Sequence, residues 1–593
     1  MKKKLKRLLC SVLAAGMILG GTPVSLYADM EGETTPTTQE KTYHEGNATY
    51  TYEIQSDNTL KINDYSGTDT EITIPGEIDG KKVTVIADGA FAKRNELISV
   101  RIPEGVRSIG VSSIEAYLLD GAFQKCENLV RVELPESLTR IGDFAFKWCR
   151  NLETIQIPSG VTFIGEYALS GCWKAKFELP ESLVELGRDA LGSCYALERV
   201  NIPASVKTIG ESAFWNCRNL KTVEVAPGNT NFAAVDNVLF DKEMTRLIVY
   251  PAKKEGSVYA VPATVKDVGI GAFMYCESLT DITIPSGVTE LKLSTFSTCT
   301  NLERLILPEG LTFMGNQLSE RCSKLKKLTI PKSVSYIGFK AWGYYPVRED
   351  GVTKDKVYDD FVIYGYANTA AQTYADENGI PFVELDEKTS DTGVKIEFSK
   401  DAIASTDTVS LLAKQLSAND KEYQNIVLAN KLVDTSVKPE NVRFTAYDIT
   451  LKNSAGTTVQ PKGNVTVKIP MPTGYDGSKC KIYYVNDKGE FVDMKAVYDG
   501  ESMIFETNHF STYMITETQL KTTDAPAVIY ADANSDGTVN SKDVVMMKKH
   551  LAGIKVDINL KACDVNADGK FDSKDVVKTM KKLAGYDVVL GEK

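Results

Sequence analysis

Leu152-Glu-Thr-Ile-Gln-Ile-Pro-Ser-Gly-Val-Thr-Phe-Ile-Gly-Glu-Tyr-Ala-Leu-Ser-Gly-Cys172 is one turn of a pattern that governs more than half of this chain. A short apolar strand ends at Pro158, which has no N–H to extend a ladder. A turn follows, then a second apolar pair at Phe163-Ile164, then Ala168-Leu169 and Cys172. Prolines recur at 135, 158, 180, 203, 262, 285, 308 and 331, a period of 22–23 residues with one gap of 59. Cysteines at 126, 149, 172, 194, 217, 276, 299 and 322 keep the same step and the same gap. Two unrelated residue types sharing one period and one interruption define a repeat. A unit this small cannot bury its own apolar face, so stacking on its neighbours is what folds it. The expected result is a right-handed solenoid with a parallel sheet along one side and coils ~5 Å apart.

The unit reads Leu-x-x-Ile-x-Ile-Pro-x-x-Val-x-x-Ile-Gly-x-x-Ala-Phe-x-x-Cys and resembles the BspA-type leucine-rich repeat of bacterial surface proteins. The resemblance covers residues 43–385 and implies an α/β solenoid with its own caps. Tyr50-Thr-Tyr-Glu-Ile54 with Ile72-Thr-Ile-Pro75 is similar to the opening cap, and Phe361 to Ala375 to the closing one. Three places break the pattern: nine extra residues at Val111–Leu119, the 59-residue gap, and Lys292–Thr295, where Ile-Gly is lost. The gap contains Asn229 to Phe240 and Leu247-Ile-Val-Tyr-Pro251, which predict a hairpin-bearing variant repeat. Such irregularities are either places where binding faces differ or neutral loop drift.

Exported proteins usually oxidise paired cysteines. These, however, sit at one place in successive coils beside Phe or Leu, where a small apolar side chain suits the stack. In-register neighbours rarely meet disulfide geometry, so buried free thiols are expected. The coil spacing and the absence of histidine beside them argue against a metal site.

At 593 residues the chain is long enough for several domains, and its net charge of -11 with no basic stripe argues against nucleic acid as a partner. Met1-Lys-Lys-Lys-Leu-Lys-Arg7 followed by the apolar run Leu8–Gly21 reads as a signal peptide over residues 1–28, and 29–42 as a disordered spacer. No later stretch is apolar and long enough to span a bilayer. After a polar linker at 386–393, residues 394–518 alternate in short runs, such as Arg443–Leu451, Lys481–Val485 and Ser511–Ile515. Strands at that spacing predict an immunoglobulin-like β-sandwich acting as a spacer or a glycan- or protein-binding module. Residues 408–433 fit either strand or helix. A second linker spans 519–526.

Residues 527–593 carry a different signature. Asp532-Ala-Asn-Ser-Asp-Gly-Thr-Val-Asn-Ser-Lys-Asp543 is echoed by Asp564-Val-Asn-Ala-Asp-Gly-Lys-Phe-Asp-Ser-Lys-Asp575, at an offset of 32. Oxygen-bearing side chains at positions 1, 3, 5, 9 and 12, with glycine at 6, form the layout of an EF-hand-type calcium loop. One ion is expected on Asp532, Asn534, Asp536, Asn540, Asp543 and the Thr538 carbonyl. A second is expected on Asp564, Asn566, Asp568, Asp572, Asp575 and the Lys570 carbonyl. Carboxylates crowded in this way repel one another without the ion, so binding and folding are coupled.

Position 12 is Asp where an EF-hand has Glu, and Pro526 with β-branched residues precedes the first loop, poor material for an entering helix. Each loop is instead followed by a helical stretch ending Leu-Ala-Gly. Loop then helix, twice, resembles a small all-α type I dockerin. That resemblance implies a cohesin partner on a scaffoldin, contacted through Ser541, Lys542, Lys548 and Lys549 and mirrored by Ser573 and Lys574. The mirroring implies two binding orientations, although Met580 stands where the first copy has Lys548.

Nucleophile-elbow, P-loop and dinucleotide motifs are missing from the sequence. His44, His509 and His550 fall in the opening cap, a sandwich strand edge and a dockerin helix, three separate domains, which removes most Ser-His and Cys-His schemes. The sequence leaves a paired-carboxylate glycosidase open. Two functions follow: a non-catalytic recognition or adhesion subunit of an extracellular cellulosome- or amylosome-type complex, whose repeats bind a protein or polysaccharide, or a polysaccharide- or peptide-degrading subunit of the same complex.

Overall fold

The computed structural model describes residues 40–110, 120–349, 351–403, 409–433, 442–486, 490–518 and, toward the C-terminus, 520, 533, 541–552, 554, 563, 565 and 571–583. The expected signal peptide, and the nine-residue insertion at 111–119, lie outside them. The chain divides into two compact units, the first built essentially from residues up to Glu387.

In the first unit most coils contribute two short strands, which pair in parallel with those of neighbouring coils. The strands that end at proline align as Glu71–Thr73, Ser99–Arg101, Arg131–Glu133 and Thr154–Ile155. The second strands align as Ser108–Ile109, Arg140–Ile141, Phe163–Ile164, Glu185–Leu186 and Thr208–Ile209. In the second set Ile109, Ile141, Ile164 and Leu186 stand in register and are buried. Alternation sends each partner residue outward. Two faces of the coil are therefore laddered, where the sequence predicted one.

The third side corrects the α/β expectation. Among the described residues of the repeats there is no helix, and the Gly-x-x-Ala-Phe-x-x-Cys segment runs as turns. Two residues per coil hold left-handed backbone, and in most coils neither is glycine, as with Phe144 (φ 57°) and Trp148 (φ 62°). Such residues cost roughly 1–2 kcal/mol each. The cost is offset by rungs to the next coil: the N–H groups of Phe144, Phe146 and Trp148 each donate to a carbonyl 22 residues on, at 2.7 Å. A helix would satisfy these donors within itself and leave the coils unlinked on this side.

Inside, Phe91, Phe123 and Phe146 stack at 4.8 and 5.3 Å. The cysteines fill the adjoining row. All eight are buried and free, and each thiol donates to a carbonyl of the preceding coil, as Cys149 does to Phe123 at 3.1 Å and Cys172 to Phe146 at 3.2 Å. Burial pushes the Cys126, Cys172 and Cys217 thiols up to about 12.

The long gap holds the variant repeat. Phe232–Val235, Val238–Asp241 and Arg246–Val249 form an antiparallel meander whose last strand rejoins the parallel ladder at Asp267–Val268. Buried Asn229 fixes its entry, donating to Pro203 and accepting from the N–H groups of Asn231 and Phe232 at 2.8 Å. At the N-terminal end Lys41–Glu45, Ala48–Ile54 and Leu60–Ser66 make an antiparallel cap. At the other end Val362–Gly365 is followed by the helix Ala370–Asn378, which buries Ala371, Tyr374 and Ala375 and stops at left-handed Gly379.

In the second unit Ser410–Gln415, Phe444–Lys452, Thr512–Thr516, Lys481–Val485 and Phe491–Asp493 form one antiparallel sheet. Residues 408–433 supply both a strand and the helix Lys421–Val433. That helix covers one sheet face, packing Ile426 and Ala429 against Ala446, Tyr483 and Met514. Residues of alternate parity, including Ile449, Ile482, Tyr513 and Ile515, are buried as well.

Candidate calcium and partner-docking site

The two C-terminal helices, Ser541–Leu551 and Ser573–Leu583, both begin at position 10 of their twelve-residue segments. Position 12 therefore falls in the first helical turn, where the helix dipole favours a carboxylate. Asp543 and Asp575 are fully buried there. Asp543 Oδ1 accepts the Ala533 N–H at 2.9 Å, and Asp575 Oδ2 accepts the Asp572 N–H at 2.8 Å. Beneath them Ala533, Val544, Met547, Cys563, Val565 and Val576 form a small shared core.

Burying an ionised carboxylate is expensive unless a cation or several donors meet it. Hard anionic oxygen aimed inward at the same loop position of two copies is the donor chemistry that Ca²⁺ takes. The arrangement therefore fits the ion. Asp572 has a further duty, because its Oδ1 accepts the Lys574 N–H at 2.6 Å and so caps the second helix. Asp532, Asn534, Asp536, Thr538, Asn540, Asp564, Asn566, Asp568 and Lys570 lie outside the described residues.

Lys548, Lys549, Ser573 and Lys574 are exposed, while the side chains of Ser541 and Lys542 lie outside the description. Sequence reasoning overlooked a second feature of the same surface. Val545, Leu551, Val577 and Leu583 are exposed by 42–50 % of their surface. They form two pairs at the 32-residue offset, Val545 with Val577 and Leu551 with Leu583. The signal was present: Val545 and Val577 are apolar residues off the Val544/Met547 core stripe, and Leu551 and Leu583 lie at the far end of that stripe.

On the first unit, the proline-side ladder is broken after Thr154–Ile155, whose only pairing with the next coil is a single bridge from Thr154 to Lys176. A groove of about 440 Å³ opens there, lined among others by Lys176, Phe177, Leu179, Glu198 and Arg199. Among the described residues no helix is long and apolar enough to cross a membrane.

Residues 55–119, 116–243 and 257–348 match the family of the BspA type leucine rich repeat region, and residues 530–584 match the dockerin type I domain. The first unit is thus built on a BspA-type leucine-rich repeat region, and the chain carries a type I dockerin toward its C-terminus. Dockerins of this type bind calcium and imply a cohesin partner.

Among solved structures, a leucine rich cell surface protein from Faecalibacterium prausnitzii is similar at 24% identity, covering 58% of this chain and 94% of its own, with a TM-score of 0.45. The pneumococcal vaccine antigen PcpA is similar at 22% identity, 59% and 100% coverage and a TM-score of 0.45. A leucine-rich repeat protein from Eubacterium ventriosum is similar at 28% identity, 50% and 77% coverage and a TM-score of 0.36. A search of curated proteins found no match.

Proposed function

We propose that this protein is a secreted, non-catalytic recognition subunit. Its repeats bind a protein or polysaccharide ligand, and its dockerin clips it to a cohesin of an extracellular scaffoldin complex. The observation that carries this reading is the union, in one chain, of BspA-type repeats with a dockerin. The β domain between them is an immunoglobulin-like spacer.

Two calcium ions occupy the dockerin, on Asp532, Asn534, Asp536, Thr538, Asn540 and Asp543, and on Asp564, Asn566, Asp568, Lys570, Asp572 and Asp575. Bound calcium neutralises the clustered carboxylates. The buried pair Asp543 and Asp575 joins each loop to the helix that follows, so loading the loops sets both helices. The helices then present Ser541, Lys542, Lys548, Lys549, Ser573 and Lys574 to the cohesin. Val545, Leu551, Val577 and Leu583 supply the apolar surface that such an interface buries.

The test is retention of the full chain on immobilised type I cohesins from a panel, with calcium and with chelator. Calcium-dependent retention by at least one cohesin is the expected outcome. Failure across the panel, or retention indifferent to chelator, removes the docking half of the reading. Release of product from a glycan or peptide panel removes the non-catalytic half.

A further inference from the structure

Three of the four tryptophans in this chain, Trp148, Trp173 and Trp215, lie beside Cys149, Cys172 and Cys217 on the turn side of the solenoid, and the coil of Cys194 carries Tyr195 in their place. Around two of them the structure stacks cations on rings. Arg150 lies 4.7 Å from the Trp173 ring, Trp173 stacks on Tyr195 at 5.7 Å, and Arg218 closes the column 3.8 Å from Tyr195. Beside it Lys125 and Lys147 flank Trp148 at 4.8 and 5.1 Å, and Lys147 also sits 3.8 Å over Tyr167. The glycine of the next coil makes room for the indole: a Cβ on Gly171 would come within 2.3 Å of Trp148.

Two carboxylates beside the patch are engaged, Glu127 by Arg150 at 3.7 Å and Asp189 by Arg188 at 3.6 Å. Among the described residues, Lys125, Lys147 and Arg218 have no carboxylate within ion-pair distance. On a chain of net charge -11 this is a local inversion of sign. Cation–π contact holds each charge in position without neutralising it, and leaves the outward N–H groups to other acceptors.

We propose that this face binds an acidic polysaccharide, a polymer of uronic acid sugars, along the solenoid axis. This rests on the recognition role proposed above for the repeats. Three features favour that occupant. The cations are spread along the axis, Lys125 one coil before Lys147 and Arg218 three coils beyond Arg150, at ~5 Å per coil, a span that suits a polymer bearing many carboxylates. The stacked ring faces carry cations, so the surface offers donors and ring edges in place of the apolar centre that a protein interface buries. A stiff sugar chain also surrenders less freedom on such a fixed array than a flexible acidic peptide does.

The test is calorimetry of the full chain with a short galacturonate oligomer, its methyl ester and poly-glutamate. The expected result is binding of the free acid that weakens with salt and disappears with the ester. It should weaken at least about tenfold in the triple variant K125Q/K147Q/R218Q, with the thermal midpoint unchanged. A control variant, K253Q/K324Q/K326Q, removes equal charge elsewhere on the solenoid and should bind like the parent. No binding by the intact fold, equal binding of poly-glutamate, or equal loss in the control each overturns the assignment. Cohesin retention, measured separately, is unaffected by any of these results, so the two readings fail independently.

Discussion

The thiol of Cys172 donates to the carbonyl of Phe146, a carbonyl that also accepts the N–H of Cys149. The cysteine is thus a small apolar filler with one weak donor, and removing it leaves no orphaned carbonyl. Cys172→Ala should cost only about 1 kcal/mol, a lost methyl-sized contact, whereas Cys172→Leu should cost more through overpacking. Urea unfolding of both variants measures the difference.

Burial raises the thiols from 9.0 to about 12 at Cys126, Cys172 and Cys217. Folded protein therefore keeps protons that the unfolded chain releases as pH climbs past 9. Stability from this source is intact below pH 9 and is lost progressively from there to about pH 12. The unfolding midpoint should fall across that interval, more steeply in the parent than in a variant with the three thiols replaced by alanine. Alkylation of the native protein at neutral pH should spare the ladder, because the thiolate is the reactive form.

Among the elements, each dockerin helix is set by its first turn. Asp575→Asn and Asp543→Asn keep shape but remove a buried charge, and each should abolish one calcium equivalent in titration calorimetry. Asp572→Ala removes a cap, worth about 1 kcal/mol of second-helix stability, and a proposed calcium ligand as well, so circular dichroism should show a larger loss with calcium present than with chelator.

Much of this local structure was legible in the sequence. Alternation located Phe444–Lys452, Lys481–Val485 and Thr512–Thr516 to within a residue, and the spacing of Asn229 to Pro251 foretold the meander. The third side of each coil was not legible as turns. Gly-x-x-Ala-Phe-x-x-Cys has helix-compatible residues, and only the inter-coil rungs decide in favour of left-handed backbone. At 408–433 local propensity was divided because the segment is divided, a strand followed by a helix. The exposed apolar pairs of the dockerin were readable at the 32-residue offset but were obscured by the charged residues between them.

For the whole molecule, the domains hold their cores by different means. Apolar stacking maintains the repeats, whereas the dockerin is of a type that binds calcium. Differential scanning calorimetry should show a transition that chelator shifts downward and a larger one, from the repeats, that chelator leaves in place. A shift in the larger transition would contradict this division.

The rungs also govern how this molecule tolerates changes in length. On the turn side the regular coils hand matching N–H and C=O groups to the next, so one regular coil can follow another there without stranding a donor. An in-frame excision of Arg150–Cys172, one full 23-residue period, would join surfaces that already match. Removal of half that number would put a strand where a turn belongs and turn the Ile ladder toward water. Growth and shrinkage of the solenoid are thereby quantised, and its length is adjustable in whole coils.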